Sequence, residues 1–128
     1  MFGRMVGRLW NRRKDQKRFP LQLGVRASSS EESQGDLVSE DVSGRGIRLR
    51  SNGGGTPLSH IVGKHGEAPL EISLEEDVPP IKVRAQIVWS YSNSSGATIS
   101  GWQFMNFHGN ARRRLRAFLE RVAEEENG

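Results

Sequence analysis

The sequence predicts a mainly β fold: a six-stranded antiparallel β-barrel with a C-terminal amphipathic helix and a basic N-terminal arm. Three observations carry this. Short apolar runs alternate with polar residues at period two, as half-buried strands do. Fifteen glycines in 128 residues supply the tight turns that many short strands need. From Ala111 onward the apolar period becomes helical, giving a stripe able to plug a barrel mouth.

Each element can be justified in order. Residues 1–14 (MFGRMVGRLWNRRK) place Phe2, Met5, Val6 and Leu9 at helical spacing, with Arg4, Arg8 and Arg12 on the other side. This basic amphipathic segment has three uses open to it: packing on its own domain, lying on an anionic membrane, or binding a partner. Phe19, Leu21, Leu23 and Val25 alternate with polar residues or glycine, predicting a first strand over Phe19 to Ala27 with Pro20 at its start. Residues 28–34 read as a polar turn. Gly35 to Val42 is the second expected strand and Gly46 to Ser51 the third.

Residues 51–67 loosen into a long glycine-rich loop holding His60 and His65, too few ligands for a metal site. The glycine triplet there precedes no Gly-Lys-Ser/Thr, so it is not a phosphate loop. Leu70 to Leu74 predicts a fourth strand. A turn with Pro79 and Pro80 leads to the fifth, from Ile81 through Trp89. Asn93-Ser94-Ser95-Gly96 is a hairpin turn, and Thr98 to Phe107 the sixth strand. Asn110 can cap the final helix, whose stripe is Ala111, Leu115, Phe118, Leu119 and Val122. Its arginines lead and its glutamates trail, against the helix dipole.

A chain of this length buries one modest core. We divide it into a basic arm, residues 1–18, and a barrel with its helix, residues 19–126. The formal charge is +4 and the pI about 10.1, with a mean hydropathy of −0.62. Between Arg4 and Arg18 stand seven basic residues and one acid, which favours an anionic partner. The absence of cysteine excludes disulfides and thiolate metal sites. No run is long and apolar enough to span a bilayer as a helix, and no secretory signal core is present. The expected location is the cytoplasm, with an Arg-rich organelle presequence as the alternative. No nucleophile–base pair, metal set or cofactor loop is visible, so the chain is not read as an enzyme and no cofactor is expected.

The chemistry concentrates at Asp41-Val42-Ser43-Gly44-Arg45-Gly46. An acid, a hydroxyl and a glycine form Asp-x-Ser-x-x-Gly at a strand-to-strand corner. Upstream lies Arg12-Arg13-Lys14-Asp15-Gln16-Lys17-Arg18, a second polar cluster that can bring cations to the same ligand. The plain alternative for Asp41 and Ser43 is an Asx-type turn; for Trp89 and Trp102 it is the barrel wall or core.

These residues resemble the PilZ domain family, which binds the bacterial second messenger cyclic di-GMP. The resemblance covers about residues 12–123. It rests on the basic cluster running into Arg18-Phe19-Pro20, on Asp41 to Gly46, on Gln86-Ile87-Val88-Trp89, and on Gly101-Trp102-Gln103-Phe104. The family pairs its Asp/Asn-x-Ser-x-x-Gly with Arg-x-x-x-Arg. Arg18 looks like the second of those arginines, but Lys14 stands four residues before it and Arg13 five. Lysine keeps the charge and loses the planar fork. The resemblance implies a ligand site of Arg13, Lys14, Arg18, Asp41, Ser43, Gly46 and Trp89. Arginines would neutralise the phosphates and fork onto guanine, Asp41 would accept guanine N–H donors, and Trp89 would stack on a base.

The implied function is a cyclic di-GMP receptor whose arm reorients and changes the surface offered to an unidentified downstream protein. Two alternatives stand beside it: a scaffold of this fold without nucleotide, acting through partners or a membrane surface, and a small-barrel nucleic-acid binder. Nucleic acid is not the expected partner, because the aromatics fall where core residues belong.

Overall fold

The structure is a computed structural model and describes residues 15–30, 33–51 and 65–127. Strands β1 (Gly24–Ser30), β2 (Ser33–Val42), β3 (Gly46–Ser51), β4 (Glu67–Ile72), β5 (Ile81–Ser92) and β6 (Thr98–Phe107) precede helix α1 (Ala111–Asn127). The strands close into an antiparallel barrel in the order β1-β2-β3-β6-β5-β4.

Period-two patterning sets the faces. On β3, Ile47 and Leu49 are buried and Arg48 lies outside; on β5, Ile81, Val83 and Ala85 point in while Lys82 and Arg84 point out. These residues join Val25, Leu37, Val42, Leu70, Ile72 and Trp102 in one core. Helix α1 adds Ala111, Leu115 and Leu119 to the same core, with Phe118 and Val122 packed against it. Burying each such aliphatic side chain is worth about 1.5–3 kcal/mol.

Three of the five arginines of α1 contact the barrel rather than suit the dipole. Its first turn holds no acid and its last no base. Arg114 donates to the Pro79 carbonyl at 2.5 Å, Arg121 pairs with Glu75, and Arg112 lies over the Phe107 ring at 4.9 Å. The Asn110 side chain makes no capping bond among the described residues; its carbonyl accepts from the Arg114 N–H.

Several boundaries differ from the expected ones. The first strand begins at Gly24, and Phe19 is an isolated bridge to Val42. Between them the chain leaves the ladder, and Ser39 Oγ takes up its polar groups. It accepts from the Leu23 N–H at 2.7 Å and donates to the Leu21 carbonyl at 2.5 Å. The expected turn at 28–34 is shorter, since β1 runs to Ser30 and β2 starts at Ser33. Strand β4 starts three residues earlier than expected, at Glu67, and includes Pro69. Its ladder to β1 ends at Leu70↔Ala27, so Pro69 removes no bond from that pair. Residues 1–14, with the expected amphipathic helix, and the loop at 52–64, with His60, lie outside the described residues.

Two register shifts decide what the outer wall presents. In the β2–β3 pair, Ser39 faces Leu49 but Asp41 faces Arg48, so Glu40 is an extra residue. In the β5–β6 pair, Ile87 faces Trp102 but Trp89 faces Gly101, so Val88 is extra. A one-residue bulge reverses the side on which the following side chain emerges. Without these bulges, Asp41 would follow Ser39 inward, and Trp89 would follow Ile87 toward the core.

Candidate functional site

With both bulges in place, the ladder aligns four residues in one row across the outer wall. Asp41 of β2 faces Arg48 of β3, Arg48 faces Gly101 of β6, and Gly101 faces Trp89 of β5. At strand spacings of about 4.8 Å, the row spans roughly 14 Å of backbone.

Asp41 anchors one end. Its Oδ1 accepts from Arg18 Nη1 at 2.5 Å and its Oδ2 pairs with Arg48 Nη2 at 2.5 Å. The Asp41 side chain is 8% exposed, whereas those of Arg18 and Arg48 are 50% and 45% exposed. The carboxylate is therefore a buried buttress beneath two guanidinium groups that still face water. Arg18 arrives there because Phe19 bridges Val42, with the Phe19 N–H donating to the Val42 carbonyl at 2.8 Å and the Val42 N–H returning a bond at 3.0 Å. The two polar clusters of the sequence thus meet at Asp41. The bulged Glu40 adds weaker ion pairs, 3.9 Å to Arg48 and 3.8 Å to Arg50.

Ser43 and Gly46 shape the corner. Ser43 Oγ accepts from the N–H groups of Arg45 and Gly46 at 3.2 and 3.1 Å, and lies 3.3 Å from the Gly46 carbonyl oxygen. Ser43 is 3% exposed, and its hydroxyl is spent on the turn. Gly46 is required by close approach: a Cβ there would lie 2.3 Å from the Trp102 carbonyl oxygen. Both residues thus have a structural use at the corner, whatever they offer a ligand.

The arm crosses the same corner. Asp15 sits over Gly44, where an added Cβ would meet its Oδ1 at 2.4 Å. Asp15 Oδ2 accepts from Arg116 of α1 at 3.1 Å, while its Oδ1 is buried with no hydrogen-bond partner among the described residues. Lys17 pairs with Glu126 at 3.6 Å and lies 5.0 Å from the Phe19 ring centroid. The segment before the first strand therefore links the corner to the second turn and to the C-terminal end of α1.

Trp89 forms the other end of the row. Its indole lies against Gly101, where a Cβ would be 2.4 Å from the ring, and stacks on Tyr91 at 5.9 Å with an 18° interplanar angle. It is 42% exposed. Trp102, the other tryptophan considered for stacking, is buried and donates from Nε1 to Ser100 Oγ at 2.8 Å. It belongs to the core.

Of the seven residues singled out in the sequence, Arg18, Asp41, Ser43, Gly46 and Trp89 lie along one stretch of wall. Arg13 and Lys14 lie outside the described residues. Sequence reasoning missed Arg48, Asp15 and Arg116. Arg48 carried a faint signal as a polar residue in an alternating strand; its apposition to Asp41 depends on a bulge that no pattern announced.

A comparison with family models matches the PilZ domain over residues 11–121. No curated protein matches the chain. Solved structures share its fold, two of them as follows. One is the Bacillus subtilis inhibitor of motility MotI/DgrA, with a TM-score of 0.67 and 17% identity over 87% of this chain and 51% of that one. The other is K. pneumonia MrkH in its apo state, with a TM-score of 0.64 and 17% identity over 91% and 54%. The chain spans about half the length of each.

Proposed function

This chain belongs to the PilZ domain family, and from that premise we propose that it is a non-enzymatic receptor for cyclic di-GMP. The observation that carries the reading is the meeting of Arg18 from the arm with Asp41 from the corner, at one end of a row whose other end is the partly exposed Trp89. Two phosphates and two guanines call for cations, in-plane donors and acceptors, and an aromatic face. The row offers each of them.

Roles follow from the geometry. Trp89 stacks on a base. Arg18, with Arg13 and Lys14 of the arm, neutralises phosphate. Asp41 accepts from Arg18 at one oxygen and pairs with Arg48 at the other, so it acts first as a buttress beneath both guanidinium groups. It takes a guanine N–H donor only by releasing one of those bonds. Ser43 and Gly46 hold the corner in shape for the ligand to approach. The arm is the moving part. Asp15–Arg116 and Lys17–Glu126 tie it to α1, so a ligand that pulls residues 12–18 toward the row loosens those ties. The surface shown to an unidentified downstream protein changes in consequence. No helix among the described residues is long and apolar enough to cross a membrane, and the proposed site of action is the cytoplasm.

Calorimetry with cyclic di-GMP tests this on the wild type, Arg18→Ala and Asp41→Ala. Binding by the wild type that both substitutions weaken supports the reading. No heat from the wild type at physiological salt removes it.

A further inference from the structure

The position four residues before Arg18 is Lys14, an ammonium where the resemblance described in the sequence implies a guanidinium. An ammonium is a point charge, whereas a guanidinium presents parallel N–H donors in a plane. A site short of one fork should bind guanine poorly unless another residue supplies it.

We propose that Arg48 is a ligand-contacting, specificity-determining residue, whose guanidinium supplies the two-donor fork to guanine that Lys14 lacks. This rests on the receptor reading above. Three observations place Arg48 for the role. It stands in the row between Asp41 and Gly101, and the Trp89 ring lies against that same glycine. A base stacked on the inner part of the indole therefore has Arg48 as its in-row neighbour. Asp41 holds the guanidinium through Nη2 at 2.5 Å, and Glu40 stands 3.9 Å from its Nε. These contacts set its orientation without consuming all five N–H donors. The side chain is 45% exposed, on the outer wall.

The arrangement is economical for recognition. Asp41 already pairs with the guanidinium before the ligand arrives, so less side-chain freedom is lost on binding. Guanine offers O6 and N7 as two acceptors on one edge; adenine offers N7 beside an N6 donor. A fork of donors therefore favours guanine over adenine, and a lone ammonium discriminates less.

The experiment is calorimetry on wild type, Arg48→Ala, Arg48→Lys and the double variant Lys14→Arg/Arg48→Ala, each with cyclic di-GMP and with cyclic di-AMP. Thermal unfolding of each variant checks that the barrel persists. Arg48→Ala is expected to weaken cyclic di-GMP by about 5- to 150-fold, the range of one lost two-donor pair to a base. Arg48→Lys is expected to fall nearly as far although the charge is kept, with a smaller preference over cyclic di-AMP. Restoring an arginine at position 14 in the Arg48→Ala background is expected to recover part of the loss. Wild-type heat with Arg48→Ala unchanged, or Arg48→Lys equal to wild type, overturns the assignment and leaves the receptor reading standing. Absence of heat from the wild type removes both.

Discussion

Gly46→Ala is the sharpest test of how the corner is built. The new Cβ would sit 2.3 Å from the Trp102 carbonyl oxygen, a backbone atom that no rotamer change can move aside. Restoring ordinary contact parts β3 from β6 by roughly 1 Å at this end. The same shift strains the bond from the Phe104 N–H to the Arg45 carbonyl at 2.8 Å, and the one from the Ser43 N–H to the Gly46 carbonyl at 2.9 Å. Overpacking of this kind costs about 1–3 kcal/mol. For a domain of this size, the unfolding midpoint should fall by about 4–11 °C. Thermal unfolding followed by far-UV circular dichroism reads it directly. Gly24→Ala is the matched control, since a Cβ there meets nothing within 4 Å. If Gly46→Ala unfolds at the wild-type temperature, or no lower than Gly24→Ala, then close approach does not explain the glycine of the motif.

Three further outcomes are expected. Gly101→Ala places a Cβ 2.4 Å from the Trp89 ring. A side chain can swing where a carbonyl cannot, so the fold should survive while the Trp89 indole N–H resonance moves; an unmoved resonance would contradict the packing described. Leu115→Ala removes a side chain with 0% exposure from the plug and should cost about 2–5 kcal/mol in chemical denaturation, against near neutrality if α1 packs loosely. Arg113 lies in the first turn of α1, exposed and without an ion pair among the described residues. Arg113→Glu should therefore stabilise by about 0.3–1 kcal/mol at low salt, a gain that fades as salt rises; a loss of stability would assign that arginine a contact not seen here.

Most of the fold was readable in the residues because period two and the turn chemistry survive in any context. Ile47-Arg48-Leu49 alternates as it should, Asn93 to Gly96 closes the β5–β6 hairpin, and the stripe from Ala111 to Leu119 faces the core. The strand start at Phe19 was misplaced for a physical reason. Phe19 and Val25 are both buried, so alternation continued across a stretch whose hydrogen bonds go to Ser39 rather than to a ladder. For the site, the Arg18–Asp41 convergence was implied by motif order. The outward turn of Asp41 and Trp89 was not, because it depends on extra residues at Glu40 and Val88. A bulge leaves no period of its own. The same limit hid Arg48, and Asp15–Arg116 joins positions 101 residues apart that no local pattern connects.

The most direct test of the account is a titration of isotope-labelled protein with cyclic di-GMP, followed by amide and indole N–H resonances. The account predicts shifts at Arg18, from Asp41 to Gly46, at Arg48 and Gly101, and at the Trp89 indole, while the opposite wall of β1 and β4 around Glu71 stays quiet. A spectrum unchanged by ligand, or changes confined to that opposite wall, would contradict it.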